Sequence, residues 1–483
     1  MLVWVTVSAP AGHAQPAAGN AAPQNAPPAA PANAPAAQPA ADPAAVPEGF
    51  QAPKAPPAVF HIEKELITAD EIKTLQEKVT FRFRTQLRQA AMPAEVIPDW
   101  ATMRLYPMTL KDNRQKLHEL RHDLMSDLNM AGNIARDQQT VRKFREMLCK
   151  EVQAKANDLL DNQFHVRLQA ILILGDLTLV QPDEKNNIRE EAYTPPWEPL
   201  HQVVGDSEQH EALKIAAVRG LTRILLMGTL RSDQAKTQIA RTFSAELMNP
   251  EAHPWYQMRL ASALGSINLE LSLDNKREPL IIDALSKVAA DEKRDLCVRA
   301  EAARALGRAP LPPGTSEQVL AWVIADVAHD LMVAYNRDAT AAQVQRVNAA
   351  MRSRLDQTQL CLFKVYLAYQ PDNDDRRLYE GRRPGLLPKR TGDRSIGETY
   401  GLTVPVVAHV LKQPEGRHPQ AVWKPVPDPQ VKALSDWLVK NIPATTNVHQ
   451  QLAPLSLNAP GGGAAVDNGM PAGTQPTSTT ANR

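Results

Sequence analysis

The residues with the clearest chemical potential lie in one short segment, His118-Glu119-Leu120-Arg121-His122. In the pattern H-E-x-x-H, two histidines one helical turn apart bind zinc, and the adjacent glutamate acts as a general base on the metal-bound water. His118 and His122 are therefore candidate zinc ligands, and Glu119 is a candidate catalytic base. This interpretation makes the chain a zinc-dependent hydrolase.

The surrounding sequence favours a solvated helix face instead. Arg121 places a charge where a helix buried behind a metal needs an uncharged residue, and no third ligand follows at a recognisable spacing. An apolar stripe explains the helix without zinc. We therefore predict no catalytic residue, no metal ligand and no cofactor, and keep the zinc hydrolase as an alternative. The stripe consists of Leu117, Leu120, Leu124 and Leu128.

A second candidate site is an arginine-rich segment between residues 376 and 394. Seven basic residues stand there against only Glu380 and Asp393. Such a segment can bind an anion or an acidic partner surface through charge-assisted hydrogen bonds. A solvated loop paired with neighbouring acids is the alternative. The basic residues are Arg376, Arg377, Arg382, Arg383, Lys389, Arg390 and Arg394.

Three cysteines, Cys149, Cys297 and Cys361, are widely spaced along the chain. No CxxC pair or Cys/His cluster is present, which excludes zinc ribbons and thioredoxin-like chemistry. We predict buried thiols that act as small apolar groups. A disulfide between two of them stays open for an oxidising compartment.

Composition limits the classes of partner. The chain has 483 residues, with 54 Lys and Arg against 53 Asp and Glu, so its formal charge is +1. A near-zero balance gives no electrostatic reason to expect nucleic acid. No stretch approaches the roughly 18 uninterrupted apolar residues of a membrane span. The sequence therefore predicts a globular chain without a nucleic-acid partner and without a membrane span.

The two ends of the chain differ in composition from the middle. Residues 1–15 hold the apolar run Leu2–Val7 followed by small residues, which is typical of the back half of a secretory signal without its basic start. We expect an exported protein, periplasmic or extracellular, with a cytoplasmic one as the alternative. Residues 16–58 are rich in Ala and Pro, and residues 459–483 in Gly, Ala and Thr. Both segments are predicted to be disordered.

Between these ends the periodicity predicts an all-α chain. Apolar residues recur at steps of three and four, without sustained alternation. Thr68 with Glu71, and Thr315 with Gln318, have capping-box spacing. We expect an N-terminal helical region over 59–162, repeats over 163–336, and a C-terminal helical region with the arginine-rich loop over 337–458.

The region 163–336 contains four similar helical segments that align without gaps. Their first, fifth, eighth and ninth positions form one apolar face. The ninth position is always leucine, at intervals of 47, 43 and 42 residues, and these leucines form the predicted repeat core: Leu174, Leu221, Leu264 and Leu306. The segments are 166–175 (VRLQAILILG), 213–222 (LKIAAVRGLT), 256–265 (YQMRLASALG) and 298–307 (VRAEAARALG). A second helix fits after each segment.

A helix pair repeating at this interval resembles HEAT and armadillo-like repeats. The last segment, with Val298-Arg299, Ala302, Ala305 and Leu306-Gly307, is similar to the short HEAT repeats of bacteria and of phycobilisome bilin lyases. The resemblance implies an α-solenoid that serves as a non-catalytic protein–protein interaction scaffold. It also implies an alternative, a bilin-lyase-like chaperone for a cofactor. A non-repetitive helical bundle is the competing fold.

The second repeat position is basic in three segments, at Arg167, Lys214 and Arg299, and we predict a structural role for these residues. Two positions depart from the pattern. Gln257 stands in place of the basic residue, and Thr222 in place of the final glycine.

Overall fold

A computed structural model describes residues 64–79, 83–183, 185–186, 188–274, 277–344, 347–370, 385–389, 394–412 and 423–444. These residues belong to one compact unit, Pro57–Arg483. They are mostly helical, as the sequence predicted. The predicted signal segment, the Ala/Pro segment and the C-terminal tail lie outside the described residues.

The N-terminal region forms five α-helices. The predicted capping box opens α1, because Glu71 N–H donates to the Thr68 hydroxyl and the Glu71 carboxylate accepts the Thr68 N–H at 2.8 Å. Helices α4 and α5 pack against α6, the first helix of the repeat region. The N-terminal bounds are α1 Ala69–Lys78, α2 Phe83–Arg88, α3 Ile97–Leu105, α4 Leu117–Met130 and α5 Gln138–Asp158, with 3-10 turns Tyr106–Thr109 and Lys111–Lys116 between α3 and α4.

The four similar segments lie in helices α6, α8, α10 and α12. Each of these helices packs against the next, and α14 continues the series beyond α12; we call these five helices the first row. Helices α7, α9, α11 and α13 contact one another in the same order and form the second row. The bounds are α6 Phe164–Asp176, α7 Trp197–Gly205, α8 Glu211–Met227, α9 Asp233–Met248, α10 Pro254–Ser266, α11 Leu280–Ala290, α12 Leu296–Arg308, α13 Glu317–Val344 and α14 Ala349–Tyr369.

Small residues allow the first-row helices to approach closely. A Cβ added at Gly175 would lie 2.8 Å from the Cα of Gly220 in α8, closer than side chains tolerate. A Cβ added at Gly265 would lie 2.9 Å from the Cα of Ala305 in α12. The small residues of the repeat are therefore the points where successive helices meet.

A short hairpin between α6 and α7 is the departure from an all-α fold. Strands β1, Thr178–Val180, and β2, Glu191–Ala192, pair antiparallel. The buried guanidinium of Arg145 supports the hairpin from α5 by donating to the Thr178 carbonyl at 2.9 Å and to the Leu128 carbonyl at 2.6 Å. Strands this short show no alternation in sequence, so periodicity did not indicate them.

Two sequence predictions about helix ends were wrong in detail. Thr315 does not cap α13, since its hydroxyl donates to the Pro312 carbonyl at 2.6 Å, and the Ser316 hydroxyl accepts the Val319 N–H instead. The sequence also predicts one long helical stretch over residues 339–369. The structure divides it, because the Asn348 side chain accepts the Met351 N–H at 2.8 Å and starts α14.

The remaining helices close the C-terminal end. Helices α16 and α17 pack against α13, and α16 also packs against α14. Helix α13 is long and apolar enough to meet the criterion for a membrane span, but most of that stretch is buried within the protein. Its hydropathy is therefore explained by helix packing. The bounds are α15 Leu386–Lys389, α16 Ser395–Leu411 and α17 Asp428–Lys440.

Candidate functional site

The H-E-x-x-H segment lies in the first half of α4. His118, Glu119 and His122 are all exposed there, and His118 Nε2 lies 4.0 Å from Glu119 Oε1. Arg121 turns away from them and pairs with Asp176 of α6 at 3.6 Å. Among the described residues, no group of three or more His, Cys, Asp or Glu side chains is placed to hold a metal ion.

The arginine-rich segment falls almost entirely outside the described residues. Arg394 is exposed at the start of α16, and only the backbone of Lys389 is described, in α15. The residues outside are Arg376, Arg377, Arg382, Arg383 and Arg390.

The four repeat leucines are the core of the first row. Each has an exposed fraction of 0% and lies in its own first-row helix. These helices follow one another as packed neighbours. All four leucines are therefore buried, each in one of four helices that follow one another in the first row.

The basic residues at the second repeat position bond within the protein interior. Lys214 Nζ lies 3.0 Å from the Glu246 carboxylate of α9. Arg299 is buried and donates to Asp326 at 2.8 Å and Asp330 at 2.6 Å, both in α13. These side chains connect a first-row helix to the second-row helix of the same unit, which agrees with the predicted structural role.

Gln257, which occupies this position in α10, accepts a hydrogen bond from an arginine outside its own helix. Arg294, just before α12, donates to the Gln257 side-chain oxygen at 2.7 Å and to the carbonyls of Leu247 and Asn249. A guanidinium from the neighbouring unit thus replaces the missing basic side chain. This substitution could not be read from the aligned segments.

A concave surface of the described residues crosses the first row. It consists of two adjoining cavities of about 420 Å³ and about 300 Å³, which share Arg259 and Ser262 of α10. The larger cavity lies over α8 and the hairpin, and the smaller one lies between α10, α12 and α14. We call the two together the first-row groove.

Positions four and seven of the repeats line this groove. They lie on a face of each helix different from the buried stripe, and i and i+3 are neighbours on a helix surface. The sequence analysis did not assign these positions, although polar residues recur there and could have indicated a shared surface. They are Arg219 of α8, Arg259 and Ser262 of α10, and Glu301 and Arg304 of α12.

One end of the groove is held by Arg223 of α8. Its guanidinium donates to the carbonyls of Gly175 and Leu177, each at 3.0 Å, and also to Thr178 and Glu190 of the hairpin region. These bonds fix the hairpin against the first row. The hairpin thereby becomes a wall of the larger cavity.

The other end contains a charged cluster around Glu301. This carboxylate has an exposed fraction of 4% and pairs with Arg304 and, at 2.8 Å, with Lys364 of α14. Burial alone would raise the pKa of Glu301, but the charges of Arg304 and Lys364 hold it below the ordinary value. Arg304 also donates to the Ser262 hydroxyl at 2.9 Å. Among the described residues, one from α12 and one from α14 thus bring their cations to the same carboxylate.

Apolar side chains stand beside these charges. Trp255 of α10 is 50% exposed and Leu360 of α14 is 55% exposed, and both line the smaller cavity. The Arg259 guanidinium lies over the Trp255 ring at 5.8 Å. Exposed aromatic, aliphatic and arginine side chains are the types enriched where proteins bind one another.

The groove residues do not form an acid–base or nucleophilic pair. No histidine or cysteine is among the described residues that line either cavity, and the Ser262 hydroxyl accepts a hydrogen bond from Arg304.

A further cavity of about 760 Å³ lies at the amino ends of α8, α10 and α12. Two of its polar side chains cap helices. His253 Nδ1 accepts the Trp255 N–H of α10 at 3.2 Å, and Asp295 accepts the Cys297 N–H of α12 at 2.8 Å. Its residues are accounted for by helix capping.

The comparisons with known proteins add no relative. No known protein family, curated protein or solved structure matches the chain.

Proposed function

We propose that the protein is a non-catalytic interaction scaffold, an α-solenoid of HEAT-like repeats whose first-row groove binds another protein. The proposal rests on the order of the similar helices, since α6, α8, α10 and α12 pack side by side in chain order. One groove crosses α8, α10, α12 and α14. The sequence repeat and the groove thus share helices α8, α10 and α12.

The solenoid part of the proposal is supported by the two rows. In such repeats, one helix pair cannot cover its own apolar face, and stacking of neighbours supplies the core. The two rows contact each other through α8 with α7, α10 with α9, and α12 with α11. Fully buried leucines at equivalent positions fit this arrangement.

The groove indicates the chemistry of its partner. Trp255 and Leu360 offer apolar surface, and the described residues that line the groove include five Arg or Lys side chains against three carboxylates. We therefore propose a polypeptide segment in which apolar side chains alternate with acidic ones. Complementary charge guides such a segment into place, and apolar contact supplies affinity.

The proposal is tested by capture from cells of the source organism with three tagged proteins. They are the wild type, the double variant Trp255→Ser/Leu360→Ser, and the control Val333→Ser. Val333 is a matched exposed apolar residue of α13 that lines neither cavity of the groove. Quantitative mass spectrometry compares the co-purifying proteins, and circular dichroism shows that all three are folded.

We expect at least one protein to be enriched by the wild type and by Val333→Ser and to be lost from the double variant. Identical captured sets for all three proteins would contradict the assignment of the groove. If nothing is enriched over the tag alone, the scaffold proposal itself fails.

A further inference from the structure

Two of the three cysteines lie side by side in the interior. Cys297 is the second residue of α12 and Cys361 lies within α14, the next helix of the first row. Their sulfur atoms are 2.6 Å apart. Non-bonded carbon atoms lie about 3.5–4.0 Å apart, and sulfur is larger than carbon, so this contact is unusually close for two separate thiols.

The two helices that carry these cysteines pack against each other. A disulfide needs Cα atoms about 4.4–6.8 Å apart. At the far end of α12, a Cβ added at Gly307 would lie 2.6 Å from the Cα of Ala368 in α14. The two helices therefore run in close contact from the cysteine pair to the Gly307 contact.

We propose that Cys297 and Cys361 are a disulfide-forming pair that links α12 to α14 when the protein meets a disulfide oxidant. Cys149 does not take part, because it lies in α5 with its sulfur 3.8 Å from the Thr178 carbonyl. The pairing goes beyond the interaction function and does not depend on it.

The two thiols differ in a way that orders the reaction. Cys297 has an exposed fraction of 7% and Cys361 of 1%. The hydrogen bond that Cys361 donates lowers the pKa of the Cys297 thiol, and Gln357 and Lys364 lower it further. Burial and the charge of Asp295 raise this pKa, but by less. The same hydrogen bond, with burial, raises the pKa of Cys361. Cys297 is therefore the more nucleophilic and more accessible sulfur.

The reaction is an exchange with a small-molecule disulfide. The Cys297 thiolate attacks one sulfur of the oxidant, the oxidant's S–S bond breaks, and one oxidant thiol leaves with a proton. Cys361 then loses its proton and attacks the Cys297 sulfur, and the second oxidant thiol leaves. Two protein thiols and one oxidant disulfide thus give one protein disulfide and two oxidant thiols. The exported location proposed from the sequence would supply such oxidising conditions.

The link would join both walls of the smaller cavity. Glu301 and Arg304 come from α12, and Leu360, Phe363 and Lys364 come from α14. A covalent bond within two turns of these residues holds the two helices in register. After reduction, packing and the Glu301–Lys364 ion pair still join them.

The experiment uses the full chain, reduced, freed of reductant and incubated in the folded state with oxidised glutathione. The protein is then denatured, its free thiols are alkylated, and its peptides are mapped without reduction. We expect one alkylated cysteine, Cys149, and a linked pair of peptides carrying Cys297 and Cys361 within one monomer. Three alkylated cysteines, a link that includes Cys149, or a link between two chains would overturn the proposal.

Variants test the order of the two steps. In Cys361→Ser, the second step is blocked, so a glutathione adduct accumulates on Cys297. In Cys297→Ser, Cys361 stays a free thiol over the same time. Cys149→Ser is the matched control and still forms the Cys297–Cys361 link, with no alkylated cysteine left. Equal glutathione adducts on Cys297 and Cys361 in the two single variants would contradict the assigned roles.

Discussion

Glu301 shows how one buried carboxylate organises the candidate site. It forms ion pairs with Arg304 of its own helix and with Lys364 of α14. Arg304 also donates a hydrogen bond to the Ser262 hydroxyl of α10. Three first-row helices therefore meet through one acidic side chain. The same principle applies at Arg299, which joins α12 to two aspartates of α13.

Glu301→Gln is expected to lower the free energy of unfolding at pH 7 by about 3 kcal/mol, because two largely buried cations lose their counter-charge. The matched control is Asp436→Asn, which removes an exposed pair with Lys432 and should cost at most about 0.5 kcal/mol. Urea titration of both variants against the wild type measures the difference. Equal effects would mean that the cluster around Glu301 contributes no more than a surface pair.

The effect of Glu301 should also depend on pH. Folding lowers the pKa of Glu301 below its ordinary value, so the ionised carboxylate stabilises the folded state at neutral pH. This contribution is lost as the pH falls through the folded-state pKa. The gap between wild type and Glu301→Gln should therefore be constant from pH 7 to about pH 5 and shrink in more acidic solution. A gap that widens on acidification would contradict the assignment.

At the scale of helices, the close contact between first-row neighbours depends on glycine, which has no Cβ. Gly265 lies against Ala305, so α10 and α12 meet backbone to backbone. In an isolated helix, alanine is favoured over glycine by about 1 kcal/mol. The packing of neighbours must therefore outweigh the propensity of each helix.

Gly265→Ala is expected to destabilise the protein by about 1–3 kcal/mol, because its Cβ forces α10 and α12 apart. Gly401→Ala in α16 is the matched control, since a Cβ at that exposed glycine meets nothing within 4 Å. The control should stabilise by about 0.5–1 kcal/mol through helix propensity alone. Thermal unfolding followed by circular dichroism measures both. Changes of the same sign would show that α10 and α12 do not meet at Gly265.

At the scale of the whole molecule, stacking implies that the middle of the row is coupled to neighbours on both sides. Leu264 lies in α10, between α8 and α12, whereas Leu355 lies in α14 at the end of the first row. Both leucines are fully buried, so loss of apolar contact alone affects them equally.

Leu264→Ala is expected to cost about 3–5 kcal/mol and Leu355→Ala about 2–3 kcal/mol, because α10 has two neighbours within the first row and α14 has one. The measurement is the urea midpoint and slope of each variant. Equal losses would count against a stacked array.

The sequence specified the repeat but not the groove. The leucines at the ninth position recur on one helical face, and such periodicity survives in the folded chain because the buried stripe is what the neighbours cover. In the sequence, the spacing of Arg219, Arg259 and Arg304 is as consistent with a solvent-exposed helix face as with a groove. Only the packing of α8, α10, α12 and α14 brings them to one surface. The hairpin at Thr178 was missed because strands of two or three residues have no period to detect.

The first-row groove is proposed to bind a protein partner. Site-specific photocrosslinking in cells of the source organism is the sharpest test of this binding. A photoreactive phenylalanine analogue is placed at Leu360, in the groove, or at Gln238, an exposed position of α9 outside it. We predict a crosslinked partner from position 360 and none from position 238. The same crosslinked proteins from both positions, or none from position 360, would contradict the account.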